Sequence, residues 1–165
     1  MRRVATARPR RAPAPARSAA RALWTCPTCG RVFRRPEQTH SCDVGKRSEL
    51  VADRPERLVN LYGSLEKTVR GWGGVEIVIS RRCALFRTTR VFADLVFMTD
   101  ALRLALLLDR VASDPMFFKV GRMSTHRVAH VTKLRTAAEL RKALPYLREA
   151  HRFAMSDGGG RGRGA

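Results

Sequence analysis

Trp24-Thr25-Cys26-Pro27-Thr28-Cys29-Gly30-Arg31-Val32-Phe33, closed by His40-Ser41-Cys42, holds three of the chain's four cysteines and one of its four histidines. Cys26 and Cys29 form a C-x2-C pair, ten residues separate Cys29 from His40, and one separates His40 from Cys42. A tight turn between two such cysteines points backbone amides at both sulfurs, so the pair can bend around one cation. Gly30 suits the close of that turn, where positive φ is cheap only for glycine. Zinc takes four ligands in a tetrahedron, and three cysteines with one histidine is a common closed, structural set. Closed means that no position is left for water. Cys26, Cys29, His40 and Cys42 therefore read as ligands of a structural Zn2+ ion, a staple and not a catalyst.

Two other readings of these thiols exist. A Cys26–Cys29 redox pair wants a βαβ setting, which this short basic segment lacks. Ordinary reduced thiols are the other. Cys83 lies far along in an apolar run and reads as a small buried side chain. A structural zinc contributes about 10–16 kcal/mol of apparent binding free energy at neutral pH. That exceeds what a segment of about 20 residues gains from burial alone. Trp24, Val32 and Phe33 then form a small core over the metal, or dock the segment onto the rest of the chain.

Charge bounds the partners. The 165 residues carry 33 Lys+Arg against 14 Asp+Glu, a formal net charge of +19. Such a field favours polyanions, nucleic acid first and an anionic membrane surface second. Arginine outnumbers lysine 28 to 5, a skew that GC-rich coding also produces. Residues 22–155 alone still carry +11. Arg31, Arg34 and Arg35 lie between the two ligand pairs, where basic residues on a metal-held turn meet phosphates or form a solvated charged face. No apolar run approaches the 18 or so residues of a membrane span. The N-terminus has no signal-peptide core; its Arg-rich, acid-free composition also suits a transit peptide. Cysteines spaced for metal suit a reducing compartment, so the expected location is cytoplasmic.

Four segments are expected. Residues 1–21 form a disordered basic tail, 22–44 the zinc-binding segment, 45–155 a compact domain, and 156–165 a flexible Gly/Arg tail. Within the domain, 45–52 reads as linker. Asp53-Arg54-Pro55-Glu56 predicts a helix start with Asp53 as cap and Pro55 in the first turn. Leu58, Leu61, Tyr62, Leu65 and Val69 share one helical stripe, and Gly71, Gly73 and Gly74 end it. Trp72 then packs back on the stripe.

Five strands follow, mainly antiparallel. Val75–Ile79 is β-branched, Cys83–Arg87 the second, Val91–Thr99 the third. Asp94 interrupts that third run, and a carboxylate there pairs with an arginine, since a lone buried charge is costly. Leu102–Leu108 alternates and is read as a strand making a hairpin with the one before it; the alternative is a Leu/Ala helix capped by Asp100 and running through Val111. Asp109–Ser124 reads as loop and Thr125–Val131 as the fifth strand. His126 and His130 at i, i+4 on a strand lie roughly 13 Å apart and cannot share a metal. Thr136-Ala137-Ala138-Glu139 is a capping box. It opens a helix whose stripe is Leu140, Leu144, Leu147, Ala150 and Ala154, with Pro145 removing one hydrogen bond. The fold class is α+β: a zinc-ribbon or knuckle-like segment, a helix, a sheet of about five strands and a C-terminal helix.

That element order, with Trp24-x-Cys-Pro-x-Cys-Gly-Arg-x-Phe and Gln38-x-His-Ser-Cys, resembles the bacterial family called domain of unknown function 5655. Val75-Glu76 after the glycines, Phe92-Ala93, Asp114-Pro115 and His126-Arg127-Val128 add to the likeness, which covers about residues 22–153. The resemblance implies a compact α+β domain and places the family's metal residues on Cys26, Cys29, His40 and Cys42. It implies no reaction.

No G-x-S-x-G, P-loop, H-E-x-x-H or dinucleotide fingerprint occurs, and no residue is assigned a catalytic role. The expected function is a non-catalytic, zinc-stabilised basic module that binds DNA or RNA largely without sequence specificity. The alternatives are a protein-interaction module with a zinc-held docking knob and an unidentified protein partner, or an enzyme of unrecognised type.

Overall fold

A computed structural model of the chain describes residues 23–33, 35–40, 42, 45–80 and 82–156. The elements run β1 (Trp24–Thr25), β2 (Val32–Phe33), α1 (Arg47–Val51), α2 (Glu56–Arg70), β3 (Glu76–Ser80), β4 (Cys83–Arg87), β5 (Val91–Phe97), β6 (Leu102–Leu108), β7 (Lys119–Ser124), β8 (Arg127–Leu134) and α3 (Ala137–Met155). β1 and β2 form a small antiparallel pair of their own, and the other six strands form one sheet in the order β3-β4-β5-β6-β8-β7. Every pairing is antiparallel. The architecture is α+β, as the periodicities require.

One row of cross-strand partners shows how the core is laid down. Ala84 faces Leu95, Leu95 faces Leu104, and Leu104 faces Thr132. All four are buried, and with their i±2 neighbours they make one continuous face. α3 crosses β5, β6 and β8, and α2 packs beside it. The α2 stripe Leu58, Leu61, Tyr62, Leu65 and Val69 is buried throughout, with the Tyr62 ring 5.6 Å from that of Phe97. On α3, Leu140, Leu147, Ala150 and Ala154 are buried, joined by Ala143, while Leu144 packs at the margin. The Thr136–Glu139 capping box forms as read. Trp72 packs at the edge of the core with its ring 5.5 Å from His151 of α3. On the opposite sheet face Asp94 pairs with Arg103 at 2.8 Å, the expected partner type.

Four local readings are corrected. The sheet has six strands, because Lys119–Ser124 of the expected loop is the edge strand β7. All its residues except Gly121 are exposed, so it has no buried face to imprint an alternation. α1 occupies part of the expected linker, with Leu50 alone buried, too short for any period. Asp53 does not cap α2: it lies at φ 55 in the turn after α1, and Pro55 is the N-cap residue. β8 begins at Arg127 and runs to Leu134, so His126 is exposed in the turn while His130 is buried. The tails expected at 1–21 and 156–165 lie outside the described residues, Ser156 excepted.

The chain departs from a simple meander at one place. β6 pairs with β8, and β7 lies beyond β8 at the edge. Residues 109–118 must therefore carry the chain past the position that β8 fills. His130 holds that crossover down: its Nε2 accepts the backbone N–H of Ala112 at 2.9 Å, while Nδ1–H donates to Val128 O at 3.2 Å. These two bonds fix a neutral ring. α3 holds the same crossover through Arg110–Glu149, at 2.7 and 2.8 Å, and through the Tyr146 hydroxyl donating to Asp114 at 2.7 Å.

Burial pulls His130 below its ordinary value of 6.5. The unfolded chain therefore takes the proton first as pH falls. The His130 contribution to stability is complete above pH 6.5 and declines as pH drops from there towards the folded-state value. The His130 ring resonances followed by NMR are expected to titrate below 6.5. His130→Ala leaves a buried N–H without its acceptor and removes a packed ring, at a cost of about 2–4 kcal/mol in urea unfolding.

Candidate metal centre

The C-x2-C turn is built by its own backbone. Gly30 N–H donates to Cys26 O at 2.9 Å, and Cys26 N–H donates to Arg31 O at 2.9 Å. Gly30 sits at φ 67, the left-handed conformation for which glycine carries no penalty. The turn joins β1 to β2, whose pairing sets Trp24 opposite Phe33. Backbone amides reach the sulfurs as the spacing requires: those of Cys29 and Thr28 at Cys26, and that of Arg31 at Cys29.

His40 and Cys42 close on this turn from the next segment. One donor atom each from Cys26, Cys29, His40 and Cys42 lies within 4.8 Å of all the others. Cys26 Sγ and Cys42 Sγ are 3.9 Å apart. His40 Nε2 is 3.4 Å from Cys29 Sγ and 3.5 Å from Cys42 Sγ. A tetrahedron with Zn–S near 2.3 Å and Zn–N near 2.0 Å has edges of about 3.8 Å between sulfurs and about 3.5 Å from sulfur to nitrogen. These three separations match those edges, and the remaining three are no longer than 4.8 Å. The four side chains are positioned to hold one metal ion.

The surrounding hydrogen bonds prepare the donors. His40 Nδ1–H donates to Gln38 O at 2.5 Å, which turns the Nε2 lone pair towards the sulfurs. A metal-bound histidine characteristically anchors its other nitrogen in this way. Arg31 Nε donates to Cys29 Sγ at 3.3 Å. Desolvation opposes ionisation of Cys29, but the Arg31 amide and guanidinium, with His40, outweigh it and bring the thiol down to about 6. Cys42 shows the opposite. Desolvation, and then the neighbouring Cys26 and Cys29, push it up to about 11. Three thiolates at this spacing repel one another, and a cation held between them would supply the missing charge.

The aromatic packing around the site is partly as expected. The Phe33 ring is 4.2 Å from that of His40, and Trp24 is 5.8 Å from Phe33. Phe33 is 5% exposed, but Val32 faces outward at 37% and does not join this core. The segment also docks. Arg87 of β4 places its guanidinium 4.6 Å over the Phe33 ring and donates from Nη2 to Val32 O. Arg87 is 4% exposed and pairs with Glu76 at 3.4 Å. No motif marks Arg87 in sequence. An arginine ending an otherwise apolar strand, Cys83-Ala84-Leu85-Phe86, is the one signal that could have found it.

The other residues singled out fall elsewhere. Arg31 is turned towards Cys29, Arg35 is exposed, and Arg34 lies outside the described residues. Cys83 is half-buried on β4, away from the cluster, and remains a free thiol. No helix among the described residues is long and apolar enough to cross a membrane.

A family described as "Domain of unknown function (DUF5655)" matches residues 48–154. The chain belongs to this family. The match starts after Cys42, later than the expected residue 22, so in this DUF5655 chain the ligand set stands on its own geometry. No curated protein and no solved structure matched the chain.

Two measurements check the site. A Cys26→Ala, Cys29→Ala variant is expected to lose its bound metal to background by elemental analysis, with amide exchange rising across β1 and β2. Arg87→Ala is expected to keep the metal, release the exchange protection of Phe33, and cost about 1–3 kcal/mol from the lost charged hydrogen bond.

Proposed function

We propose that this chain is a non-catalytic, zinc-stabilised basic module that binds nucleic acid largely without regard to sequence. The observation that carries the zinc part is the convergence of three sulfurs and one imidazole nitrogen within 4.8 Å. Soft thiolates with imidazole in a tetrahedral set suit zinc, and four protein ligands leave no site for a substrate. The reading treats residues 22–44 as the zinc segment and 45–155 as the domain that carries it.

The nucleic-acid part rests on charge. The net charge is +19, and the exposed Arg35 belongs to the loop between the ligand pairs. Arg31 serves Cys29 through its Nε, so its weight in phosphate contact is reduced relative to Arg34 and Arg35. Base stacking has little support, because Trp24 and Phe33 are packed around His40. Contacts are then mostly to phosphates, and log K falls linearly with log salt, by about 0.9 per phosphate neutralised on duplex DNA.

A second reading, a zinc-held knob for a protein partner, is favoured by Leu23 and Val32. They are 50% and 37% exposed beside the metal centre. Zinc content and binding to duplex DNA and single-stranded RNA over a salt series separate the two, for the wild type and the Cys26→Ala, Cys29→Ala variant. Stronger binding by the wild type than by an equally basic folded control supports the nucleic-acid reading. Binding no better than the control removes it in favour of the knob.

A further inference from the structure

β7 begins at Lys119, opposite Val131, while β8 continues to Leu134. The outer edge of β8 therefore has no strand beside it at Thr132–Leu134 among the described residues. The crossover at Asp114–Phe118 and the start of α3 border the gap and leave a groove of roughly 580 Å³. That volume lies within the range of small-molecule sites, about 300–1,000 Å³.

The polar groups of the groove divide by sign. Its two carboxylates are spent on the scaffold. Asp114 accepts from Met116 N–H at 2.9 Å and from the Tyr146 hydroxyl at 2.7 Å. Glu139 accepts from the N–H groups of Arg135 and Thr136, at 2.5 and 3.0 Å. Of its three cations, Arg135 pairs with Asp100 at 3.0 Å, and the two lysines are less committed. Lys133 and Lys142 line the groove, and neither has a carboxylate within ion-pair distance among the described residues. Lys133 instead places its ammonium 5.4 Å from the centre of the Phe118 ring. Phe118 is 57% exposed, and with Met116 it gives the groove an apolar wall. Phe118 thus offers an exposed aromatic face beside the Lys133 ammonium, in a groove that Lys142 also lines.

We propose that this groove binds a small organic anion, a flat ring carrying a phosphate or carboxylate group. The ring lies against Phe118 and Met116, and the anionic group reaches Lys133 and Lys142. Buried Thr132 also lines the groove. This site is on the sheet edge and does not use the metal ligands, so it stands apart from the nucleic-acid reading.

The test is an amide NMR titration of the metal-loaded full chain at constant ionic strength, with phenyl phosphate, benzoate and inorganic phosphate as probes. Saturable shifts at Phe118, Thr132, Lys133 and Lys142 with phenyl phosphate or benzoate are expected, and which of the two binds identifies the anionic head. Inorganic phosphate is expected to bind about tenfold more weakly, for want of the ring contact. Lys142→Ala and Phe118→Ala, both at exposed positions and checked for an unchanged spectrum elsewhere, are each expected to weaken binding about tenfold. Shifts that do not saturate, that spread over the surface arginines, or that persist unchanged in both variants would overturn the proposal. Equal affinity for inorganic phosphate would overturn it as a site for an organic anion.

Discussion

The buried guanidinium of Arg87 joins the metal-ligand segment to the sheet. It stacks on Phe33, donates to the carbonyl of Val32 and is balanced by Glu76. A charge this deep needs a counter-ion and hydrogen bonds: Nη2 has its carbonyl, while Nη1 is paired with Glu76 by charge alone, without a hydrogen bond. Phe33 then touches both sides: Arg87 through one contact and the His40 ring through another. Metal geometry and sheet geometry thus meet on one aromatic ring, and a shift in either is felt by the other.

How much of this could be read from residues alone depends on the kind of signal. The ligand set was legible because chelation fixes spacing: C-x2-C with a glycine at the close has few other uses. The α2 and α3 stripes were legible because each helix has one dry face. β6 was legible from its alternating leucines despite a helical alternative. β7 was not, because Lys119–Ser124 is an edge strand with almost nothing buried, and its pairing is written in β8. α1 failed for a similar reason, one buried leucine in five residues.

Side-chain partnerships divided the same way. That Asp94 needs an arginine followed from the cost of a buried carboxylate, but that the arginine is Arg103 follows only from the β5–β6 register. His130 and His126 looked equivalent in a strand pattern. The crossover makes them opposite in role, one buried and bonded to Ala112, the other exposed at a turn. Arg87 carried no local mark, since its partners lie 11 and 55 residues away in the chain. Tertiary pairings of this kind are invisible to any window of sequence.

The strand order also divides the sheet into local and non-local pairings. β3 to β6 pair with their immediate chain neighbours, so this four-stranded part can assemble by successive hairpins. β7 and β8 likewise form a hairpin of their own, but the sheet is complete only when β8 pairs with β6 across the crossover. Until it does, Leu102–Leu108 is a bare strand edge, among the most apolar stretches of the chain. Such an edge recruits strands from other molecules. In the folded chain β8 covers that edge, and the crossover's ties to His130, Tyr146 and Glu149 hold it there.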